Sequence, residues 1–196
     1  MGWRGVRLGF VCLAAIGAAG CASEQQKIDT ASSIQARDDK FLPYREYTSG
    51  TMKESGPLLS GEALRLNTLI GRVDRQSGAK QFAVEVLLHY SEDHRRKFES
   101  ARSAKAEALT LVKVEQIRKS CSKKLGSCDY DEVVHVVLPE AGLRGAGAEG
   151  YPVKLFARSG HTATVEIAKP VIAALLAKVD ADPAAGGGAK TSAIAH

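Results

Sequence analysis

An antiparallel β-sandwich of seven or eight short strands, closed by one C-terminal helix, is the fold that this 196-residue sequence predicts. Three observations carry the prediction. Apolar residues alternate with polar ones through most of the middle of the chain, the period of a half-buried strand. Turn-forming clusters of Asp, Ser, Gly and Pro interrupt that alternation at short intervals. One apolar stripe at helical spacing follows the last alternating segment, and order of this kind suits a sandwich or barrel.

Phe41 to Thr48, FLPYREYT, reads as an edge strand, because Pro43 has no N–H to donate to a central ladder. Thr51 to Gly61 reads as a loop. Leu64, Leu66, Thr68 and Ile70 then alternate, and are expected to share the core face. Asp74 to Ala79, DRQSGA, forms a turn. Phe82, Val84, Val86, Leu88 and Tyr90 alternate again, so these two segments predict a hairpin. Arg96 to Ala101 is a weaker strand, Ser103 to Ala106 a turn, and Leu109 to Ile117 a further strand. Val133 to Leu138 is an apolar run broken only by His135, whose side chain is expected to leave the core face. Val153 to Ala157 and Thr162 to Ala168 form a second hairpin about Ser159-Gly160. Pro170 suits a first helical turn, and Val171, Ile172, Leu175, Leu176 and Val179 make one helical stripe. The run is too short to cross a bilayer, which takes about 20 apolar residues; a helix capping an open face or end of the sandwich fits it.

The ends of the chain differ from the middle. Arg4 and Arg7 form a positive region, Leu8 to Ala19 is apolar, and small residues follow, as in a cleavable export signal. Ala18-Ala19-Gly20-Cys21 resembles a bacterial lipobox, with Ala18 where that family usually has Leu. The resemblance covers residues 1 to 24. It implies that the Cys21 thiol is diacylated, that the chain is cut just before it, and that the new amine is acylated. Ala22 and Ser23 lack the Asp that retains such proteins in the inner membrane, which implies the outer membrane, facing the periplasm. Ordinary cleavage after Ala18-x-Gly20 is the alternative. Cysteine parity bears on the choice. Cys12 would leave with residues 1–20, Cys121 and Cys128 are close enough to pair, and Cys21 is then the odd thiol. Several buried acyl chains, at roughly 0.8 kcal/mol per methylene, make a durable anchor. The organisation expected is a signal over 1–20, a polar tether over 21–39, a sandwich domain over 40–181 and a disordered tail over 182–196. Some 15 extended residues of this tether reach roughly 50 Å. Loss of residues 1–20 lowers the formal charge of +5 by two, too small a surplus to imply nucleic-acid binding.

Four features bear on chemistry. In CSKKLGSC, Cys121 to Cys128, a structural disulfide is expected in an exported chain, contributing about 2–3 kcal/mol by loop entropy. A zinc site would need further ligands nearby, and redox chemistry favours C-x-x-C. GAGAEG, Gly145 to Gly150, matches a dinucleotide fingerprint in letters, but no strand leads directly into it and strand-like residues follow, so a surface connection is expected. His94-Arg95-Arg96-Lys97 opens one strand and Arg118-Lys119 ends the next. A hairpin about Ser103 to Ala106 would put both at one tip, with Lys123 and Lys124 beside them. Arg95, Arg96, Lys97, Arg118, Lys119, Lys123 and Lys124 thus form a possible patch for anionic headgroups, lipopolysaccharide phosphates or an acidic partner. A merely solvated strand edge, neutralised by Asp129, Asp131 and Glu132, is the competing reading. Finally, His89, His94, His135 and His161 lack metal-site spacing, and no nucleophile elbow or phosphate loop is present. The expectation is a non-catalytic, lipid-anchored binding or assembly accessory of the cell envelope. It needs no cofactor or metal, and its partners are the membrane and an envelope protein or anionic glycolipid. A periplasmic enzyme with a spatially assembled site and a carrier of lipid or sugar are the alternatives.

Overall fold

The computed structural model describes residues 32–54, 62–122, 124 and 126–185. The signal segment, Cys21, Lys123 and residues 186–196 lie outside the described residues. The strands are β1 (Gln35–Arg37), β2 (Tyr44–Thr48), β3 (Met52–Glu54), β4 (Glu62–Asp74), β5 (Lys80–Glu92), β6 (Phe98–Ser103), β7 (Ala108–Leu109), β8 (Leu111–Ser122), β9 (Ser127–Leu138), β10 (Tyr151–Ala157) and β11 (Thr162–Ile167); the helices are α1 (Glu140–Arg144) and α2 (Lys169–Asp180). One sheet runs β1-β2-β4-β5-β9-β8, with β3 also paired to β4. The other runs β11-β10-β6-β7. All pairings are antiparallel, and the two sheets and α2 enclose one core. The fold is the expected mainly-β sandwich with a C-terminal helix. Eight strands match the expected segments; β1, β3 and β7 are additional pieces of two or three residues.

β5 sets the core. Phe82, Val84, Val86, Leu88 and Tyr90 are all buried, and the register places Leu138, Val136, Val134, Glu132 and Tyr130 of β9 opposite them in turn. Residues directly opposite share a face, so this face is apolar toward Phe82 and polar toward Tyr90. His135 leaves the core face as expected and meets Glu85 at 2.7 Å. β4 corrects an expectation. Leu69 pairs Val84 and Gly71 pairs Phe82, so the odd-numbered residues, Arg65, Asn67, Leu69 and Val73, point inward. Leu66, Thr68 and Ile70 lie on the outer face. β4 has apolar residues on both faces, so alternation alone does not fix its direction.

Gly71 explains how the helix closes the core. A Cβ there would lie 2.7 Å from Val179 Cγ2 and 3.4 Å from Leu175 Cδ2. The absent side chain lets α2 settle directly on β4, burying Val171, Ile172, Leu175 and Val179. The end of α2 is tied down by Asp182, which accepts the Tyr47 hydroxyl at 2.7 Å and an Arg45 N–H at 2.9 Å. Asp182 is buried, so the domain extends past residue 181. The expected tether also ends earlier. Gln35–Arg37 pairs with β2, and Asp38 holds Arg45 at 3.2 Å and also pairs with Arg75. These polar residues gain order from a sheet edge rather than from burial.

Two predictions follow from this closure. Gly71→Val drives two methyls into α2 and should cost about 2–3 kcal/mol by overpacking, read as a lower urea midpoint at unchanged slope. An unchanged midpoint would contradict the helix contact. Burial pushes the Asp182 carboxyl up, but bonds from Tyr47, the Ala184 amide and Arg45 outweigh it and hold it below its ordinary 3.8. A depressed folded value adds stability above the unfolded value that is lost as pH falls through the folded one. Tyr47, pushed up to about 12 by burial and by Asp182, works in reverse, adding stability that fades as pH rises beyond about 10. Asp182→Asn should therefore lower stability at neutral pH and flatten the acid limb below about pH 4, as measured by urea unfolding at stepped pH.

Candidate functional site: a cationic cleft where the sheets part

The chain crosses from one sheet to the other between β7 and β8, at Thr110. β6 therefore stays with β10 while β8 stays with β9. The expected hairpin between the two basic clusters is not formed, yet both clusters reach the same end of the domain. Beyond the crossing the strands part, and a cleft of about 950 Å³ opens between the segment before β6 and the middle of β8. Arg95 and Lys97 stand on one lip, Arg118 on the other, and Arg158, from the β10–β11 turn, at one end; His94 and Asp93 complete the rim.

The lip before β6 is held by buried polar groups. Arg96 is 1% exposed. Its guanidinium donates to Glu92 Oε1 from Nε at 2.8 Å and Nη2 at 2.7 Å, and lies 4.5 Å from the Tyr90 ring centre. Its backbone N–H donates to the Tyr90 hydroxyl at 3.0 Å. Burial, with Glu132 nearby, pushes the Tyr90 phenol well above its ordinary value, so it serves here as a neutral hydroxyl. The Lys97 and Phe98 amides donate to the Glu132 carboxylate at 3.1 and 3.4 Å. Lys97 sits at φ 57°, uncommon for a residue with a Cβ, and its carbonyl takes the Arg158 amide at 3.0 Å. One loop thus buries Arg96 and presents Arg95 and Lys97.

The sequence-predicted patch accordingly divides. Arg95, Lys97 and Arg118 line the cleft and make no ion pair among the described residues; Arg95 lies over the Tyr130 ring at 5.8 Å. Arg96 also lines it, but its charge is spent on Glu92, so its assignment to an exposed patch is corrected. Lys119 does not line the cleft and holds Asp131 at 2.6 Å. Lys124 is exposed in the β8–β9 turn, beyond the Cys121–Cys128 disulfide. That disulfide joins residues directly opposite in the hairpin, with Cα atoms 3.9 Å apart. Arg158 is the lining cation that sequence reasoning missed. It precedes the expected turn at Ser159-Gly160 as a single charge, with no cluster to mark it, and it meets Glu99 at 2.7 Å.

Ser159 lines the cleft beside Arg158 and begins a short series of titratable contacts. Ser159 Oγ lies 3.0 Å from His161 Nδ1, and His161 Nε2 lies 3.3 Å from Glu92 Oε1. The order hydroxyl, imidazole, carboxylate has the outline of a nucleophile with its base. However, Glu92 Oε1 already takes two bonds from Arg96, and the Ser159 and Gly160 amides donate to Arg96 and Ala157 carbonyls. No amide pair beside Ser159 is left to face a developing oxyanion. His89 Nδ1 meets Asp131 at 2.6 Å on the outer face, where Lys119 takes the other oxygen. The GAGAEG segment follows α1 and precedes β10. Gly150, at φ 87°, would put a Cβ 2.2 Å from the Ile167 carbonyl, so this glycine serves a close backbone approach. Among the described residues no group of three His, Cys, Asp or Glu side chains gathers to hold a metal ion, and no helix is long and apolar enough to cross a membrane. A second, more apolar hollow of about 630 Å³ lies by Ile70, Ala83, Val112 and Val137.

No protein-family model matches the chain, and neither a curated protein nor a solved structure shows significant similarity to it.

The two neighbouring arginines separate scaffold from surface. Arg96→Ala strands the Glu92 carboxylate and should cost about 3 kcal/mol. Arg95→Ala should cost under about 1 kcal/mol. Thermal unfolding of both variants checks this, and equal losses would contradict the division.

Proposed function

We propose that the protein is a lipid-anchored binding or assembly accessory of the cell envelope, acylated at Cys21 and held on the periplasmic face of the outer membrane. Its cleft receives the anionic groups of an envelope partner. The observation that carries this reading is the cleft itself, where Arg95, Lys97 and Arg118 line one concave surface and none of them is paired to an acidic side chain among the described residues. Cations gathered on concave, low-dielectric walls focus field and concentrate anions. The anchor is supported by the apolar run that ends in Ala18-Ala19-Gly20-Cys21, and by the disulfide, which leaves Cys21 as the odd thiol once Cys12 departs. A disulfide also suits an oxidising compartment. Tethering at the membrane raises the local concentration of a modest binding site, so a shallow cleft suffices for a useful interaction.

Crosslinking in intact cells tests the reading in two arms. Cys21→Ser should block acylation and release the protein from the membrane fraction. Arg95→Glu, at a half-buried side chain, with Arg118→Glu, at an exposed one, should leave fractionation unchanged and remove the partners captured by the wild type. A processed, membrane-bound Cys21→Ser protein would refute the anchor, and unchanged capture by the double variant would refute the cleft.

A further inference from the structure

We infer that the cleft takes its anionic partner as an extended protein strand, added to the free edge of β8, with acidic side chains between the two cationic lips. The inference rests on the reading of the cleft as an anion-binding site and names the class of partner. β8 ends its sheet, with β9 on one side and, among the described residues, no strand on the other. Such an edge carries backbone N–H and C=O groups ready to pair with another chain, and strand addition is a common use of it.

Three further observations place the partner here. First, β8 is irregular against β9 between Lys113 and Glu115 and again between Arg118 and Ser120. The regular stretch between these shifts, Glu115 to Arg118, overlaps the part that lines the cleft, where Gln116, Ile117 and Arg118 are found. A partner strand paired with that stretch would enter the cleft. Second, four of the five exposed large hydrophobic residues among those described, Val112, Val114, Ile117 and Val137, lie on β8 or beside it on β9. Val112, Val114 and Ile117, on β8 itself, supply apolar contact for the alternate side chains of an added strand. Third, the lysines that would guard a solitary edge are occupied, Lys113 with Glu99 at 3.6 Å and Lys119 with Asp131 at 2.6 Å. The cations left over, Arg95, Lys97 and Arg118, face the cleft. A second copy of this chain would bring two such cationic sets together, whereas an acidic strand neutralises one.

The test uses the full-length protein in non-ionic detergent and three anionic probes. These are a fluorescein-labelled peptide alternating Glu and Val, a peptide of equal length and charge alternating Glu and Pro, and glycerol phosphate, the soluble anionic part of a phospholipid headgroup. The Glu-Val peptide should bind, and should slow hydrogen exchange of the residue 115–118 amides by about tenfold or more. The Glu-Pro peptide, which lacks alternate N–H donors, should bind at least about tenfold more weakly and protect none of them. Arg118→Glu should weaken the Glu-Val peptide by about tenfold while leaving the unfolding midpoint in place. Equal binding of both peptides, or binding of glycerol phosphate in place of the Glu-Val peptide without protection of β8, would overturn strand addition and leave the anionic cleft standing. Failure of every probe would overturn both. Protection that appears only as protein concentration rises, together with a dimer, would assign the edge to a second copy instead.

Discussion

The Glu132 carboxylate is the fixed point from which the cleft is built. It stands on the core face of β9, opposite Leu88, and is 1% exposed. A charge in that position is costly unless its lone pairs are met. Here the Lys97 and Phe98 amides meet it from the start of β6, and the Gln116 amide meets it at 3.3 Å from β8. β6 and β8 belong to different sheets. One buried acid therefore joins both lips of the cleft and sets their separation. The Lys113–Glu99 ion pair, at 3.6 Å, adds a second and more exposed link between the two strands.

Around this point the core changes character along its length. At the Phe82 end the sheets and α2 meet through Val, Leu, Ile and Phe, and Gly71 lets the helix lie flat on β4. At the Tyr90 end the same face carries Tyr90, Tyr130, Glu132 and Arg65, whose guanidinium donates to the Thr164 carbonyl across the sandwich. The tilted pair Tyr90–Tyr130, with centres 5.6 Å apart, supplies apolar area together with hydroxyl groups, which suits a region between dry core and open cleft. Arg96 and Glu92 complete the transition. A buried ion pair is a weak source of stability in itself. Its consequence here is positional, since it turns one of four consecutive basic residues inward and leaves its neighbours outside.

How much of this was legible in the sequence varied with burial on each face. β5 was plain, because its core face is wholly apolar or aromatic and its other face includes Gln81, Glu85 and His89. β4 was legible as a strand but not in direction, since Leu66 and Ile70 outside compete with Leu69 and Val73 inside, while Arg65 and Asn67 point inward. β1 and β3 are three-residue strands that stay ordered through backbone pairing, which leaves no hydrophobic period to read. The helix stripe was read almost residue for residue. Within the candidate site, clusters of charge were visible and their shared end was anticipated, though by a hairpin that does not form. That Arg96 is buried, and that Arg158 arrives from a turn some sixty positions away in sequence, depends on tertiary contacts that a run of basic letters does not encode.

The same contrast bears on why the edge at β8 is open. A strand with exposed Val112, Val114 and Ile117 and a backbone edge that no described strand covers is a hazard in an isolated domain. The structure limits the hazard without removing it. Irregular pairing at both ends shortens the template to a few residues, the disulfide secures the far end of the hairpin, and Arg118 with the opposite lip places repulsive charge where a second copy would approach. These devices oppose self-association while leaving Glu115 to Arg118 accessible to a chain of opposite charge. Specificity of this kind comes as much from what is repelled as from what is held. A fully guarded edge would have required only free lysines, and the two that flank this stretch are instead committed to Glu99 and Asp131. The geometry thus favours selection among partners over simple protection from them.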